Sequence, residues 1–267
     1  MNERPLAALT LVCPVWGTYT RYLSSLFAAL DREGVERSQV ILVGNGEPVS
    51  YPGARSITSP IRLSVGAARN LGLAAVESEL VCFADADDVP VPGALARLCT
   101  VALAEPELLM ASGLALRVDG QQYGFPPRYA ARPMRRTERA LRQLGRNHLS
   151  MTTCTVLRVE PLRRLGGFPD ASLAEDGMLA CTLACAGPIR VLDEPTRIYN
   201  CQPEGLCQRG RSAAEWRAAF RTQRRYLVQN KALPRRWRLA SQLYTLRHRQ
   251  LARWLEQVAQ YANADGA

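Results

Sequence analysis

The sequence predicts an α/β fold, a mostly parallel sheet sandwiched between helices, and three observations predict it. Short β-rich apolar runs alternate with helical stretches through the first two thirds of the 267 residues. The hydrophobic content of 47% is that of an ordinary globular chain with a real core. Three of the apolar runs end in Pro14-Val15-Trp16, Gly44-Asn45-Gly46 and Asp85-Ala86-Asp87. Right-handed crossovers bring such carboxyl ends to one edge of a parallel sheet, where open α/β folds bind ligands.

The elements follow in order. Residues 7–15 (AALTLVCPV) read as a strand, 20–31 as a helix, 38–44 as a strand, 66–77 as a helix and 79–85 (ELVCFAD) as a strand. A helix from Pro92 to about Ala104 and a strand at 107–112 come next. Residues 113–150 lose the alternation and become rich in Gly, Pro and Arg, as a loop-bearing insertion with a basic helix near 135–145. A strand at 152–157, a turn at LGGFPD, a helix at 173–186 and a strand at 189–193 resume the pattern. Two helical segments, 212–230 and 235–261, carry Trp216, Phe220, Leu227, Trp237, Tyr244, Leu251, Leu255 and Val258 at helical spacing. The division expected is 1–204 as the main domain, with 1–112 as its ligand half and 113–204 as its second half, and 205–267 as a basic amphipathic extension.

The longest apolar stretches fall short of the ~18 residues that cross a bilayer, and no basic-apolar-small leader opens the chain. A cytoplasmic protein is expected. The eight cysteines form no C-x-x-C pair, which excludes a zinc ribbon and a dithiol redox motif. Cys181, Cys185, Cys201 and Cys207 cluster late in the chain and read as small reduced hydrophobes rather than metal ligands. The net charge of +10 is uneven: 128–150 and 205–267 are strongly basic, and the remainder is net acidic. The C-terminal arginines suit peripheral contact with an anionic membrane, while the apolar stripes beside them suit packing on the domain or in a homodimer. No nucleic-acid partner is expected.

The acidic run CFADADDVP carries the chemistry. Alternation along a strand points Asp85 and Asp87 to one side at its end, with Ala86 turned away. Two carboxylates about 5 Å apart repel by ~3 kcal/mol at an effective dielectric of about 20, and a divalent cation reverses that sign. Mg²⁺ or Mn²⁺ takes one or two protein carboxylates and leaves its other positions to water and phosphate oxygens. The structural alternative has Asp87 and Asp88 bonding backbone donors in the loop before the next helix.

A second acidic site is SLAEDGML. Ser172-x-x-Glu175 fits a capping box. Asp176 has no such local duty, and its place near a helix amino terminus favours the ionised carboxylate, ready to accept a hydroxyl proton. A solvent-facing aspartate is the alternative. In VGAARNLGLAA, Arg69 and Asn70 fall inside a helical pattern, where an Asn needs a polar partner.

In this order and spacing the pieces resemble a family-2 glycosyltransferase of the GT-A fold, from about Leu6 to Asn200. LTLVCPVWG is similar to the family's first strand. GAARNLGLAAVESELVCFADADDVPVPGAL resembles its A-R-N-x-G, apolar strand and D-x-D-D signature, and LGGFPDASLAEDGMLACTLACAGPIRVLDEPTRIY its acceptor-side segment. The resemblance implies a GT-A sandwich with a C-terminal helical extension, and metal-assisted inverting transfer of a sugar from a nucleotide diphosphate. It implies that Pro14, Val15 and Trp16 line the nucleotide pocket together with Asn45, Arg69, Asp85 and Ala86. Asp87 would bind Mg²⁺ or Mn²⁺, Glu175 would stand on the acceptor side, and Asp176 would be the base. A UDP-sugar is favoured as donor, although Asn45 stands where the family usually carries an Asp. The only histidines, His148 and His248, lie outside RIYNCQPEG, where many members offer one. The Q-x-x-R-W motif of processive members is absent, so a single addition to a hydroxyl-bearing or other nucleophilic acceptor is expected.

Two rivals remain. VCFADADDV also fits the apolar-D-x-D-x-V of a haloacid-dehalogenase-like phosphohydrolase, with Asp85 as nucleophile and Asp87 as acid and base. A non-catalytic binding protein could keep the fold and hold an anionic partner with its arginines.

Overall fold

In the computed structural model the described residues are 5–117, 122–123, 153–200, 213–231 and 235. The strands are β1 (Leu9–Val15), β2 (Val40–Asn45), β3 (Arg55–Ser59), β4 (Leu80–Phe83), β5 (Val89–Pro90), β6 (Met110–Arg117), β7 (Gln122–Tyr123), β8 (Val156–Arg158) and β9 (Ile189–Tyr199). The helices are α1 (Leu23–Glu33), α2 (Val65–Ala74), α3 (Ala94–Ala104), α4 (Val159–Arg164), α5 (Glu175–Ala186) and α6 (Ala213–Gln229). The sheet order is β3-β2-β1-β4-β8-β6-β9-β5, with β7 paired on β6. Strands β3, β2, β1 and β4 run parallel, as do β6 and β9, while β8 runs antiparallel to both β4 and β6.

Burial on both faces explains why β1 and β2 are unbroken apolar runs rather than alternating ones. Leu9, Leu11, Cys13 and Val15 of β1 pack against Leu26, Phe27 and Leu30 of α1 and Leu95 and Leu98 of α3. Val12, with Ile41, Val43, Val81 and Phe83, packs against Ala68 and Leu73 of α2 and Leu179 and Leu183 of α5 on the other face. Each such fully buried side chain contributes about 1.5–3 kcal/mol.

Local chemistry sets the helix ends. Gly34, at φ 80°, closes α1, with the Gly34 and Val35 N–H groups donating back to Asp31 and Leu30 carbonyls. Glu33, the last residue of α1, receives the N–H groups of Gly93 and Leu95 and so caps α3 from another element. Ser64 caps α2 by accepting from the Ala67 N–H at 3.1 Å. A Cβ at Gly72 would stand 2.3 Å from Val12 Cγ1, so glycine is what lets α2 lie this close to the sheet.

The expected elements are present with shifted bounds. The helix expected at 20–31 begins as a 3₁₀ segment, Gly17–Tyr22, before α1. The strand expected at 79–85 ends at Phe83, the one at 107–112 is β6 and runs on to Arg117, and the one at 189–193 continues to Tyr199. Strands β3 and β5 and helix α4 were not anticipated. Helix α6 packs on α5, where Leu227 is buried and the Tyr226 hydroxyl meets Thr182 Oγ1 at 3.5 Å. The basic helix expected near 135–145 and the segment 235–261, apart from Arg235, lie outside the described residues.

Among the described residues Cys13, Cys82, Cys99, Cys154, Cys181 and Cys185 are buried. Burial pushes the Cys82 and Cys99 thiols up to about 12, so neither offers a thiolate at neutral pH.

Candidate active site

The carboxyl ends of β1, β2 and β4 share one edge of the sheet, with Val15 level with Gly44 and Phe83 level with Val12. Beyond β4 the chain leaves the strand. Asp85 to Asp88 form a turn in which the Asp88 N–H donates to the Asp85 carbonyl at 3.1 Å. The expected alternation therefore does not extend to these residues, and their directions are set by the turn and its braces.

Those braces come from the second half of the chain. The Asp85 N–H donates to Thr153 Oγ1 at 2.9 Å. Asn200 Nδ2 donates to the Asp87 carbonyl at 2.7 Å, and the Asn200 N–H donates to Asp88 Oδ1 at 3.0 Å. Asp88 is thus a buried acceptor, as the structural alternative had it, but its backbone donor lies at the end of β9 rather than in its own loop. Asn200, Thr153 and the buried Arg197, whose Nη1 reaches the Thr153 carbonyl at 3.4 Å, are site residues that the sequence did not single out. Arg197 and Asn200 both fall in RIYNCQPEG, where many family members offer a histidine, and that position was their one signal.

Arg69 joins the two acidic sites. Its Nη2 donates to Asp85 Oδ1 at 2.8 Å and its Nη1 to Glu175 Oε1 at 2.7 Å. It lies over the Phe168 ring at 5.1 Å and is 2% exposed, so its guanidinium sits behind Asp85 rather than lining an open pocket. Its helical neighbours tie α2 to the loop before α5. Asn70 donates through Nδ2 to the Phe168 carbonyl and accepts its N–H, at 2.7 and 2.8 Å. This is the polar partner that the helical Asn required. The Gly66 N–H reaches the Ala171 carbonyl at 3.0 Å, and Ser64 Oγ reaches Asp170 at 2.6 Å.

The capping box expected at Ser172 does not form. Ala174, at φ 60°, occupies the cap position with no side-chain bond, and Glu175 turns to Arg69 instead, because a buried guanidinium competes with a local cap for the carboxylate. Asp176 follows, half-buried, with Oδ1 accepting the Gly177 N–H at 2.7 Å. Burial holds its carboxyl above the usual range, against the pull of Arg69, the Gly177 N–H and Arg197. The helix terminus alone was expected to favour the ion, and desolvation outweighs it. Glu175 is raised for the same reason, with Arg69 opposing and Asp176 adding. Burial and the neighbouring Asp85 charge push Asp87 up to about 6. Asp88 is pushed up to about 7 by burial and by Asp85 and Asp87, against Arg197 and the Asn200 N–H.

Trp16 stacks on Tyr19 with centroids 5.4 Å apart, and the Arg62 guanidinium lies 4.1 Å over the Trp16 ring. The Gly17 N–H donates to the Glu47 carboxylate, which joins the ends of β1 and β2. Pro14 is half-buried, whereas Val15 and Ala86 are buried in the core. Asn45 is buried, with Oδ1 accepting the Leu63 N–H at 2.6 Å and Nδ2 donating to the Leu63 carbonyl at 3.1 Å. That pairing fixes the loop beside Trp16 and commits most of the amide's bonding capacity.

Among the described residues no group of three or more His, Cys, Asp or Glu side chains could hold a metal ion by itself. Asp85, Asp87 and Asp176, with the buried Asp88 and Glu175, do set five carboxyl groups against Arg69 and Arg197. Such a set fits a hard cation held by one or two carboxylates and completed by phosphate oxygens. No described helix is long and apolar enough to cross a membrane.

Residues 35–166 match the sequence model of glycosyl transferase family 2. That stretch contains Asn45, Arg69 and Asp85–Asp88 and stops short of Glu175 and Asp176. No curated protein matches the chain in sequence. Among solved structures, residues 1–349 of S. aureus TarS in complex with UDP-GlcNAc are 16% identical with a TM-score of 0.64, covering 86% of this chain and 69% of that one. The same protein in complex with UDP gives a TM-score of 0.62 at 16% identity, over 86% and 68%. The mannosyltransferase PcManGT from Pyrobaculum calidifontis, in complex with GDP-Man and Mn²⁺, gives 0.60 at 17% identity, over 97% and 76%. This is not the architecture of the phosphohydrolase alternative, whose acidic strand opens its domain, whereas β4 here follows three parallel strands. With a glycosyl transferase family 2 match over residues 35–166 and a mostly parallel sheet of GT-A architecture, the chain is a glycosyltransferase of the GT-A fold.

Proposed function

We propose that the protein transfers a sugar, with inversion, from a nucleotide diphosphate to a hydroxyl-bearing or other nucleophilic acceptor, one residue per encounter. The observation that carries the reading is the juxtaposition of the Asp85–Asp88 turn and the amino terminus of α5 through the single guanidinium of Arg69. It brings a candidate diphosphate site and a candidate base to one crevice. The UDP-, UDP-GlcNAc- and GDP-Man-bound relatives support a nucleotide-sugar donor, and the Mn²⁺ of the mannosyltransferase supports a divalent cation. UDP is the favoured nucleotide and GDP the alternative.

In this reading the nucleotide lies along the ends of β1 and β2, beside Pro14, Val15, Trp16 and Ala86. Asp85, held by Arg69, meets the ribose or the base. Asn45 acts indirectly, by holding Leu63 and with it the loop that carries Arg62 onto Trp16. Mg²⁺ or Mn²⁺, held by Asp87, supplies positive charge to the diphosphate when bound. Asp176 takes the proton of the acceptor hydroxyl as that oxygen bonds to the anomeric carbon, and the bond to the diphosphate breaks with its electron pair. Burial raises its proton affinity above that of an exposed aspartate, so it holds a proton taken from the acceptor more firmly. Glu175 stays on Arg69 at the acceptor side, and the basic segment 128–150 joins that side. Absence of Q-x-x-R-W supports single addition. A cytoplasmic location, with the C-terminal helices against an anionic membrane face or a second subunit, completes the proposal.

A thermal-shift series with UDP, GDP, ADP and CDP, each with and without Mn²⁺, tests the donor side. We expect UDP or GDP to raise the melting temperature only with the metal present. Equal shifts without metal, or none at all, would count against the reading.

A further inference from the structure

We propose that Arg69 is a positioning residue that carries the occupancy of the donor site to the helix bearing Asp176. The inference rests on the donor and base roles proposed above and adds a physical link between them.

The link begins with exposure. Arg69 is 2% exposed and the Asp85 side chain 38%, so Asp85 stands between the guanidinium and the crevice. One Nη atom goes to each carboxylate, and the planar guanidinium fixes the spacing of the two. Moving Asp85 therefore moves a group to which Glu175 is bonded. A bound donor that draws on the Asp85 carboxylate weakens its hold on Arg69, and the buried guanidinium, which needs a counter-charge, turns more strongly to Glu175.

The start of α5 is built to respond. Ala174 precedes it in the left-handed region, which costs a residue with a Cβ about 1–2 kcal/mol, and no side chain caps the helix. Upstream, Asn70, Gly66 and Ser64 hold the loop only as far as Ala171. Between that anchor and Glu175 lie Ser172, Leu173 and Ala174, and the first turn is tied to this stretch by the Met178 N–H, which donates to the Ala174 carbonyl at 3.0 Å. The Arg69–Glu175 pair holds the same turn from α2. Asp176 is one residue beyond, so the orientation of the proposed base follows the seat of Arg69.

Hydrogen exchange of the full-length chain, followed with and without UDP plus Mn²⁺ and GDP plus Mn²⁺, tests this. In the wild type, amides of residues 176–181 should exchange about tenfold more slowly when nucleotide is bound, within the usual range of coupling between sites. Arg69→Lys lacks the paired Nη atoms, and Glu175→Gln keeps a hydrogen bond without the charge. At nucleotide concentrations that saturate each variant, those amides should slow by less than about twofold. If the lysine variant does not fold, the glutamine variant carries the test. Bound nucleotide with no slowing in the wild type, or the same slowing in the folded variants, would overturn the link while leaving the donor reading intact. Failure of both nucleotides to bind the wild type would overturn the donor reading, and the link with it.

Discussion

Asp87 and Asp88 are adjacent and chemically identical, yet they are held differently. Asp88 is buried on the Asn200 N–H beside Arg197, whereas Asp87 keeps its carboxylate for the crevice and gives Asn200 only its carbonyl. Asp88 is raised from 3.8 to about 7, so between those values the folded chain holds a proton that the unfolded chain has released. Stability from this group is therefore present at low pH and lost as pH rises towards 7. Asp88→Asn keeps the acceptor and cannot ionise. The metal-free variant should show a flatter melting profile from pH 5 to pH 8 and melt above the wild type at pH 8. A lower melting point there would mean that the charge pairing with Arg197 outweighs burial. For Asp176→Asn, we expect transfer to fall by about 10²–10⁴ with nucleotide affinity unchanged, as loss of a general base predicts. A matching loss of nucleotide binding would move Asp176 to the donor side. At this scale the sequence marked the acidic residues, because carboxylates crowded at a strand end have few purely structural uses. It could not assign partners to Thr153, Arg197 or Asn200, which lie far along the chain from the groups they bond.

Helix α2 is the element that gathers the site. Ser64, Gly66, Arg69 and Asn70 reach the chain beyond residue 165, and Gly72 lets the helix approach β1 and β2. The motif A-R-N-x-G thus serves more than one face of the helix: Ala68 and Gly72, one turn apart, lie on the sheet, while Arg69 and Asn70 reach Glu175 and Phe168. Gly72→Ala would set a Cβ 2.3 Å from Val12 Cγ1 and 2.9 Å from Val43 Cγ2, atoms of stiff β-branched side chains in the core. Overpacking of this kind costs about 1–3 kcal/mol, so the variant should unfold at lower denaturant with an unchanged slope. An unchanged midpoint would show that α2 can lift without loss. The long buried elements were legible because apolar runs and helical periodicity reported them. β3 was not, since RSITS is a mostly exposed, polar edge strand with little hydrophobic signal. The left-handed Ala174 defeated the capping-box reading because backbone strain at a non-glycine residue leaves no mark in the sequence.

For the molecule as a whole, the order of apolar and polar runs was enough to foresee a mostly parallel sheet between helices. It could not foresee that β8 runs backwards between β4 and β6, because strand direction depends on a connection, 118–155, that carries no periodic pattern. Beyond the boundary expected at 204, α6 packs on α5, with Leu227 buried and the Tyr226 hydroxyl at Thr182.

The reversed strand also governs how the protein can come into being. β4 has β1 on one side and needs Val156–Arg158 on the other. Until the ribosome has delivered those residues, the growing polypeptide presents an open, apolar ladder edge at the heart of its future sheet. That edge invites pairing with other nascent chains, so synthesis through residue 158 is the interval in which this fold most needs a chaperone.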